Sequence, residues 1–367
     1  MSARSWLLAA GLALAIPTLA QAQQVVQTPP DYPRIKLSGL FFGDLYYNLN
    51  GNPNHVYNAA GADQGKTYID TNGPITQDLS GSQLRRIFLQ VDDDFSARYT
   101  MRVRFETDGK ELTAPSNKLA SFVKNFYLQM KSIVPRGDAF VGMIQTPAFE
   151  NSENFWGYRS IEKVLPDYRG VAKASDGGVS LKGFADPDHM VGYWAMIGNG
   201  TGQSNENNRY KRFMFSLPLQ KGDAHLEPYV DWEDGTNGHN AALYEVWGGY
   251  EFKRFAVAGQ WVDYTVHAVP PAAFAEQTGY SIFARGHATA SMNAFARWDY
   301  WDPNKRVPNR VTNNLWIAGL DWSPVKDVHL EPNLEGDMYH GKGAAPAGVP
   351  PAWHSLQARL TVYVLFR

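Results

Sequence analysis

From residue 34 to residue 367 the chain alternates apolar and polar residues with a period of two, in sixteen segments joined by connections that are long and short in turn. The cleanest run, residues 97–106, puts Ala, Tyr, Met, Val and Phe at one parity and Arg, Thr, Arg, Arg and Glu at the other. Successive side chains of a strand point to opposite faces, so this run has one greasy and one wet face. An amphipathic helix would need three- and four-residue spacing instead. Residues 226–233, 328–335 and 357–366 repeat the pattern, with Pro228 and Pro332 inside two of the runs, where each removes a ladder donor.

The predicted strands are 34–49, 82–94, 97–107, 119–131, 137–146, 175–184, 189–198, 209–219, 224–233, 241–252, 254–265, 278–286, 290–301, 312–322, 326–339 and 353–367. Long connections fall at about 50–81, 108–118, 147–174, 199–208, 234–240, 266–277, 302–311 and 340–352; the others have only a few residues. An even number of antiparallel strands with this alternation describes an all-β, 16-stranded transmembrane β-barrel with long extracellular loops and short periplasmic turns. Both ends of the sheet then lie on the short-turn side and can pair. Closure is required in hydrocarbon, where an open edge leaves backbone groups unsatisfied at several kcal/mol each. An exported propeller is the soluble alternative, but it would show a blade-length repeat, and the chain shows none.

Residues 1–22 have one basic residue (Arg4), an apolar stretch from Trp6 to Leu19 and the small-residue pattern Ala20-Gln21-Ala22. This is the layout of a cleaved signal peptide, leaving 23–367 as the barrel. The apolar stretch is shorter than the roughly 20 residues of a spanning helix. Export and a barrel together place the chain in the outer membrane of a Gram-negative bacterium. With Lys+Arg 34 against Asp+Glu 36 there is no basic field to hold nucleic acid, and zero Cys removes disulfides, thiolate metal sites and cysteine nucleophiles. Trp232, Trp261, Trp298, Trp301, Trp322 and Trp353 lie near predicted strand ends, where headgroup-level aromatics are common.

If the apolar parity faces lipid, the polar parity lines a watery lumen. This sends Arg86 and Gln90 inward on the second strand, and Arg98, Arg102, Arg104 and Glu106 on the third. Lys182, Arg212 and Arg359 also face in. Glu227, Asp231, Glu233, Glu245, Glu331, Glu335 and Asp337 form an acidic wall, and Arg297 and Asp299 share the thirteenth strand. Opposed walls of this kind set a transverse field across a pore. Their counter-charges are expected in the third long connection, 147–174, which is aromatic and charged rather than rich in Gly, Ser and Asn. It carries Glu150, Glu153, Arg159, Glu162, Lys163, Asp167 and Arg169, and we read it as folded inward to narrow the pore. Residues 50–80, rich in Asn, Gly, Asp and Thr, read as an outward loop.

Several segments resemble Gram-negative porins of the broad group that includes the phosphate-selective porins O and P. They are Arg85-Arg86-Ile87-Phe88-Leu89-Gln90-Val91 with the three aspartates after it, Phe126-Tyr127-Leu128-Gln129, and Val141-Gly142-Met143-Ile144-Gln145-Thr146-Pro147. Ala174-Ser175-Asp176-Gly177-Gly178-Val179 and Phe295-Ala296-Arg297-Trp298-Asp299-Tyr300 complete the set. The resemblance implies a sixteen-stranded barrel, usually a homotrimer in the outer-membrane bilayer. Its third loop would constrict a channel for passive diffusion of small hydrophilic or charged solutes, without a cofactor. Phosphate selectivity does not carry over, because this lumen mixes Arg with many acids and few Lys. The chain also departs from the group at its end, where Phe366 is followed by Arg367 instead of closing on the aromatic that assembly machinery reads.

Two further readings stand beside this one. The channel could be specific for an anion such as phosphate or an organic acid, or for a sugar. Alternatively, the barrel could be an enzyme, which would require a Ser–His pair oriented by a third group. No Gly-x-Ser-x-Gly occurs, the nine His form no His-x-His or His-x-x-x-His pair, and Asp92-Asp93-Asp94 sits at a short turn as a solvated cluster.

Overall fold

The computed structural model describes residues 31–367 except 54–56, 58, 60–74, 114–117, 236–239, 268–273, 290 and 342–351. The expected signal peptide, residues 1–22, lies outside the described residues. The strands are β1 (Arg34–Asn50), β2 (Ser80–Asp94), β3 (Tyr99–Thr113), β4 (Lys118–Val134), β5 (Gly137–Gln145), β6 (Ser175–Phe184) and β7 (Gly192–Gly198). They continue as β8 (Arg212–Ser216, resumed at Leu219–Lys221), β9 (Ala224–Asp234), β10 (Asn240–Glu251), β11 (Phe255–His267) and β12 (Ala275–His287). The last four are β13 (Met292–Asp302), β14 (Val311–Val325), β15 (Val328–Gly341) and β16 (Ala352–Phe366).

Each strand pairs antiparallel with the next, and β1 pairs with β16 from Gly39↔Phe366 to Asn50↔Leu356, so the sheet is a closed sixteen-stranded barrel. Pro228 and Pro332 both lie at interruptions of the ladder. Opposite Pro228, pairing with β8 stops at Ser216 and resumes at Leu219. On the β14 side of Pro332, pairing lapses between Gly319↔Asn333 and Trp322↔Leu330. Both are positions where a proline cannot donate. The short turns are tight: Asp327 takes a positive φ of 65° between β14 and β15, and the guanidinium of Arg367 reaches its carboxylate at 3.2 Å. The sequence expectation of a long connection at 108–118 is corrected here. β3 and β4 run on past it and leave only 114–117 between them, a tall hairpin in place of a loop.

Burial is inverted relative to a water-soluble protein. Leu45, Phe105, Phe126, Val179, Ile197 and Ile282 are exposed on the outside, whereas Asp44, Asn48, Gln90, Asn125 and Gln357 are buried within. Trp232, Trp298 and Trp322 point outward, but Trp301 turns into the lumen. The returning end of the first long loop also departs from the outward reading. Ile75 is fully buried, its N–H donates to Ser355 Oγ, and Asn48 donates to the Thr76 carbonyl, so this segment tucks into the mouth of the barrel.

The inner wall is not polar all the way round. Leu243 and Trp247 on β10, Ala258 and Val262 on β11, Phe283 on β12, Phe295 on β13, and Leu315 and Ile317 on β14 are apolar, inward and buried. What buries them is the β5–β6 connection, whose Phe155, Trp156, Tyr158, Ile161 and Leu165 belong to the same core. Burying each such side chain contributes about 1.5–3 kcal/mol. The lumen is therefore dry along β10–β14, contrary to the wet cylinder expected. Placing a charge on the exposed apolar band should be costly in a bilayer: Ile282→Arg is expected to destabilise the folded barrel by about 2–4 kcal/mol. Reversible urea unfolding in lipid vesicles checks this.

Candidate functional site

The inward loop contains two short helices, α1 (Glu150–Trp156) and α2 (Leu165–Tyr168). Gly157 ends α1 in the left-handed conformation (φ 75°), its N–H returning to the Glu153 carbonyl, an arrangement a residue with a Cβ would resist. Pro166 opens α2, where its missing N–H costs nothing. The aromatic face follows from these turns. Trp156 packs edge-on against Phe283, ring centres 5.2 Å apart, and Tyr158 lies 4.2 Å from Phe295. With that face sealed on β10–β14, the charged face of the loop looks toward β2–β4.

Two β-bulges build the opposite wall. Phe42 pairs with Arg86 but Gly43 pairs with Leu84, so Arg85 is the extra residue and both arginines turn inward. Arg104 pairs with Asn125 but Phe105 pairs with Val123, which does the same for Lys124. A bulge inserts one residue and re-aims its side chain. Arg85 uses this to pin the loop: it donates to the Ser160 carbonyl at 2.9 Å and the Ile161 carbonyl at 2.5 Å, and pairs with Glu162 at 3.2 Å.

The wall itself is a ladder of cations. Arg86 pairs with Glu106 at 3.1 Å and Lys124 with the same carboxylate at 3.6 Å. Arg102 pairs with Asp92 at 2.6 Å. The hydrogen bonds of Arg104 go to the neutral amide oxygen of Gln90, with its guanidinium 4.6 Å from the centre of the Phe88 ring, a favourable cation–π arrangement. Across from them, Arg159 pairs with Glu153 at 3.1 Å, Lys163 with Asp167 at 3.4 Å, and Lys182 of β6 approaches Glu150 at 3.9 Å. Glu153 and Asp167 lie close enough to act on Arg86, and Glu150 on Arg102. Burial pushes the Asp167 carboxyl up, but Lys163, Arg159, Lys124 and Arg86 outweigh it and hold the group below the ordinary carboxylate range.

Of the residues singled out from the sequence, Arg86, Arg102, Arg104, Glu150, Glu153, Arg159, Lys163 and Asp167 come together where the loop faces this wall. Four stand elsewhere. Arg98 is exposed in the β2–β3 turn, because β3 begins only at Tyr99. Arg359 is buried, paired with Glu335 and bonded to Asn333. Glu162 is buried on the underside of the loop, where it receives Arg85 and the Lys163 N–H. Arg169 reaches away from the cations, donating to Asn313 and facing the Trp301 ring. The loop acids also pair mostly within the loop or with Arg85 and Lys182, not with the arginines of β3 as expected. Arg85 and Lys124 were missed, although a charge at a parity otherwise reserved for apolar residues was a signal that the alternation slips there.

No protein-family model and no curated protein sequence matches the chain. Solved structures do. An anion-selective porin from Comamonas acidovorans superposes with a TM-score of 0.63 at 13% identity, covering 91% of this chain and all of that one (100%). The outer-membrane channel DcaP of Acinetobacter baumannii gives 0.64 at 9% identity, with 92% and 99% covered. OmpF of Salmonella typhi gives 0.62 at 10%, with 92% and 98% covered. At such identities the likeness concerns the fold.

Removing the loop anchor tests the site's construction. Arg85→Ala strips two buried ion pairs, to Glu162 and Asp44, and two carbonyl contacts, a class of change that costs about 3–5 kcal/mol. Trypsin is expected to cut the variant at Arg159 or Lys163 while sparing the native barrel, read by mass spectrometry of the fragments.

Proposed function

We propose that the protein is an outer-membrane porin: a water-filled channel through which small hydrophilic and charged solutes diffuse passively, with no covalent step and no energy source. The observation that carries this reading is the pair of charged faces, one on the inward loop and one on β2–β4, that meet inside a closed barrel whose outside is apolar. Side chains of these faces, such as Arg102, Arg159 and Lys163, keep part of their surface accessible, whereas Arg297, Asp299, Glu335 and Arg359 on the far side keep none. Water and ions therefore reach the charged face of the loop, while the wall around Arg297 and Glu335 is closed to them.

Lining both sides of a narrow route with paired charges lets a solute exchange one set of polar partners for the next, so entry is favourable and exit is not prevented. Arginine forks on β2 and β3 suit carboxylate and phosphate groups. That Arg104 is held by an amide and not by a carboxylate leaves its charge available to a passing anion, and this favours anionic solutes over cations. The Comamonas porin is named as anion-selective, which supports the same direction. The relatives in fold also support placing the chain in the outer membrane and, by analogy, as a homotrimer.

The enzyme reading is the weaker one. Ser323, His329 and Asp321 do meet, but both contacts, 3.1 Å to Ser323 Oγ and 2.8 Å to Asp321 Oδ1, converge on the same ring nitrogen, Nδ1. Activating a serine needs the hydroxyl on one nitrogen and the carboxylate on the other.

Planar-bilayer recording under a salt gradient tests the proposal. Replacing Arg102 and Arg104 by Ala is expected to move the reversal potential toward cations, while Arg98→Ala, in the turn, leaves it unchanged. Equal potentials in all three proteins would remove the assigned role of the β3 arginines.

A further inference from the structure

On the lumen side of β14 and β15, near their turn, stands a cluster with no part in these charged faces. Gly319 pairs with Asn333 and Trp322 with Leu330, so Asp321 lies across from Glu331, with His329 two residues along the same face. One donor atom from each of Asp321, His329 and Glu331 lies within 4.8 Å of the others. Other buried acids of this wall have a cation, as Asp299 has Arg297, Glu335 has Arg359 and Asp302 has Arg310, whereas Asp321 has His329, Asn293 and Tyr158 and Glu331 has Ser160. Asp321 and Glu331 have no Lys or Arg at ion-pair distance among the described residues. Glu331 is 1% exposed, and while one of its oxygens accepts from Ser160 Oγ at 3.1 Å, the other, Oε2, is buried with no hydrogen-bond partner.

We propose that Asp321, His329 and Glu331 form a binding site for a divalent cation of the zinc type. Two carboxylates and an imidazole supply three ligands of types that zinc binds and two negative charges, leaving a fourth tetrahedral position to water. Zinc–oxygen and zinc–nitrogen distances near 2.1 Å put tetrahedral donors about 3.4 Å apart, so the side chains must close by up to about 1.4 Å as the ion binds. The ion takes up the unpartnered Oε2 and displaces the His329–Asp321 hydrogen bond, with His329 binding as the neutral base and any proton it carried passing to water. The lapse in the ladder at Pro332 leaves the backbone at this level freer to adjust. His329 is part-exposed, which gives the ion an entry route from the short-turn end of the lumen. Because Ser160 bonds Glu331 and Tyr158 bonds Asp321, an ion here also ties the far end of the inward loop to the wall.

The test uses the full barrel, refolded in detergent free of lipopolysaccharide, stripped with EDTA and titrated with Zn²⁺ alone. Calorimetry is expected to show one Zn²⁺ per chain, with affinity falling more than about tenfold in His329→Ala and in Glu331→Gln. Glu251→Gln, an exposed carboxylate elsewhere, should bind as the native protein does. Heat-modifiable mobility on gels confirms that each variant is folded. Co²⁺ provides a second readout: its visible absorption should change on binding and revert in His329→Ala. No stoichiometric Zn²⁺ on the folded native barrel, or equal binding by both ligand variants, overturns the site.

Discussion

Every other feature of this molecule depends on the backbone ladder closing on itself between β1 and β16. Once the sheet is a cylinder, no strand edge remains, and each residue can face only outward or inward. The alternation of side chains then becomes a partition of chemistry: Leu45, Phe126 and Val179 outside, Asp44, Gln90 and Asn125 inside. Such a wall is stable where the outside is hydrocarbon and the inside is water or protein. It would expose a continuous apolar belt if dissolved in water.

The inward loop decides how the interior is used. Its aromatic face and the apolar inner side of β10–β14 complete a conventional core, off-centre within the barrel, and this leaves the loop's charges directed at β2–β4. The loop is held from both sides: the Phe155–Trp156–Tyr158 cluster packs against one wall, and Arg85 grips carbonyls at 160 and 161 from the other. A buried arginine bonded to backbone carbonyls and a carboxylate holds a loop in one place because each guanidinium proton has a fixed direction. The Arg86, Arg102, Arg104 and Lys124 ladder can then present its charge toward a loop of fixed position.

Much of the architecture was legible in the sequence, because a period of two records the same fact sixteen times and a single ambiguous strand cannot obscure it. The inward placement of Arg86, Arg102 and Arg104 and the folding of 147–174 into the lumen followed from that parity and from the loop's aromatic composition. What escaped were departures from parity and packing at a distance. The bulges at Arg85 and Lys124 shift the alternation by one residue, and sequence spacing does not reveal on which strand an extra residue is absorbed. Arg98 was credited to a strand that starts one residue later. Arg359 and Glu162 do face inward, yet which inward positions are wet depends on where the loop lies, and that is set by the apolar inner residues Leu243, Phe283 and Phe295. Reading those apolar residues at polar parity as a docking surface would have found it.

The central claim is that the route through the barrel runs along the charged side of the inward loop and not through the apolar core packed on β10–β14. The chain has no cysteine, so single cysteines report cleanly. A charged, membrane-impermeant thiol reagent should react rapidly with Cys introduced in place of Arg104 and reduce the current through the open barrel, while Cys in place of Leu243 stays unmodified until the protein is unfolded. Rapid modification at 243 with none at 104 would contradict the account.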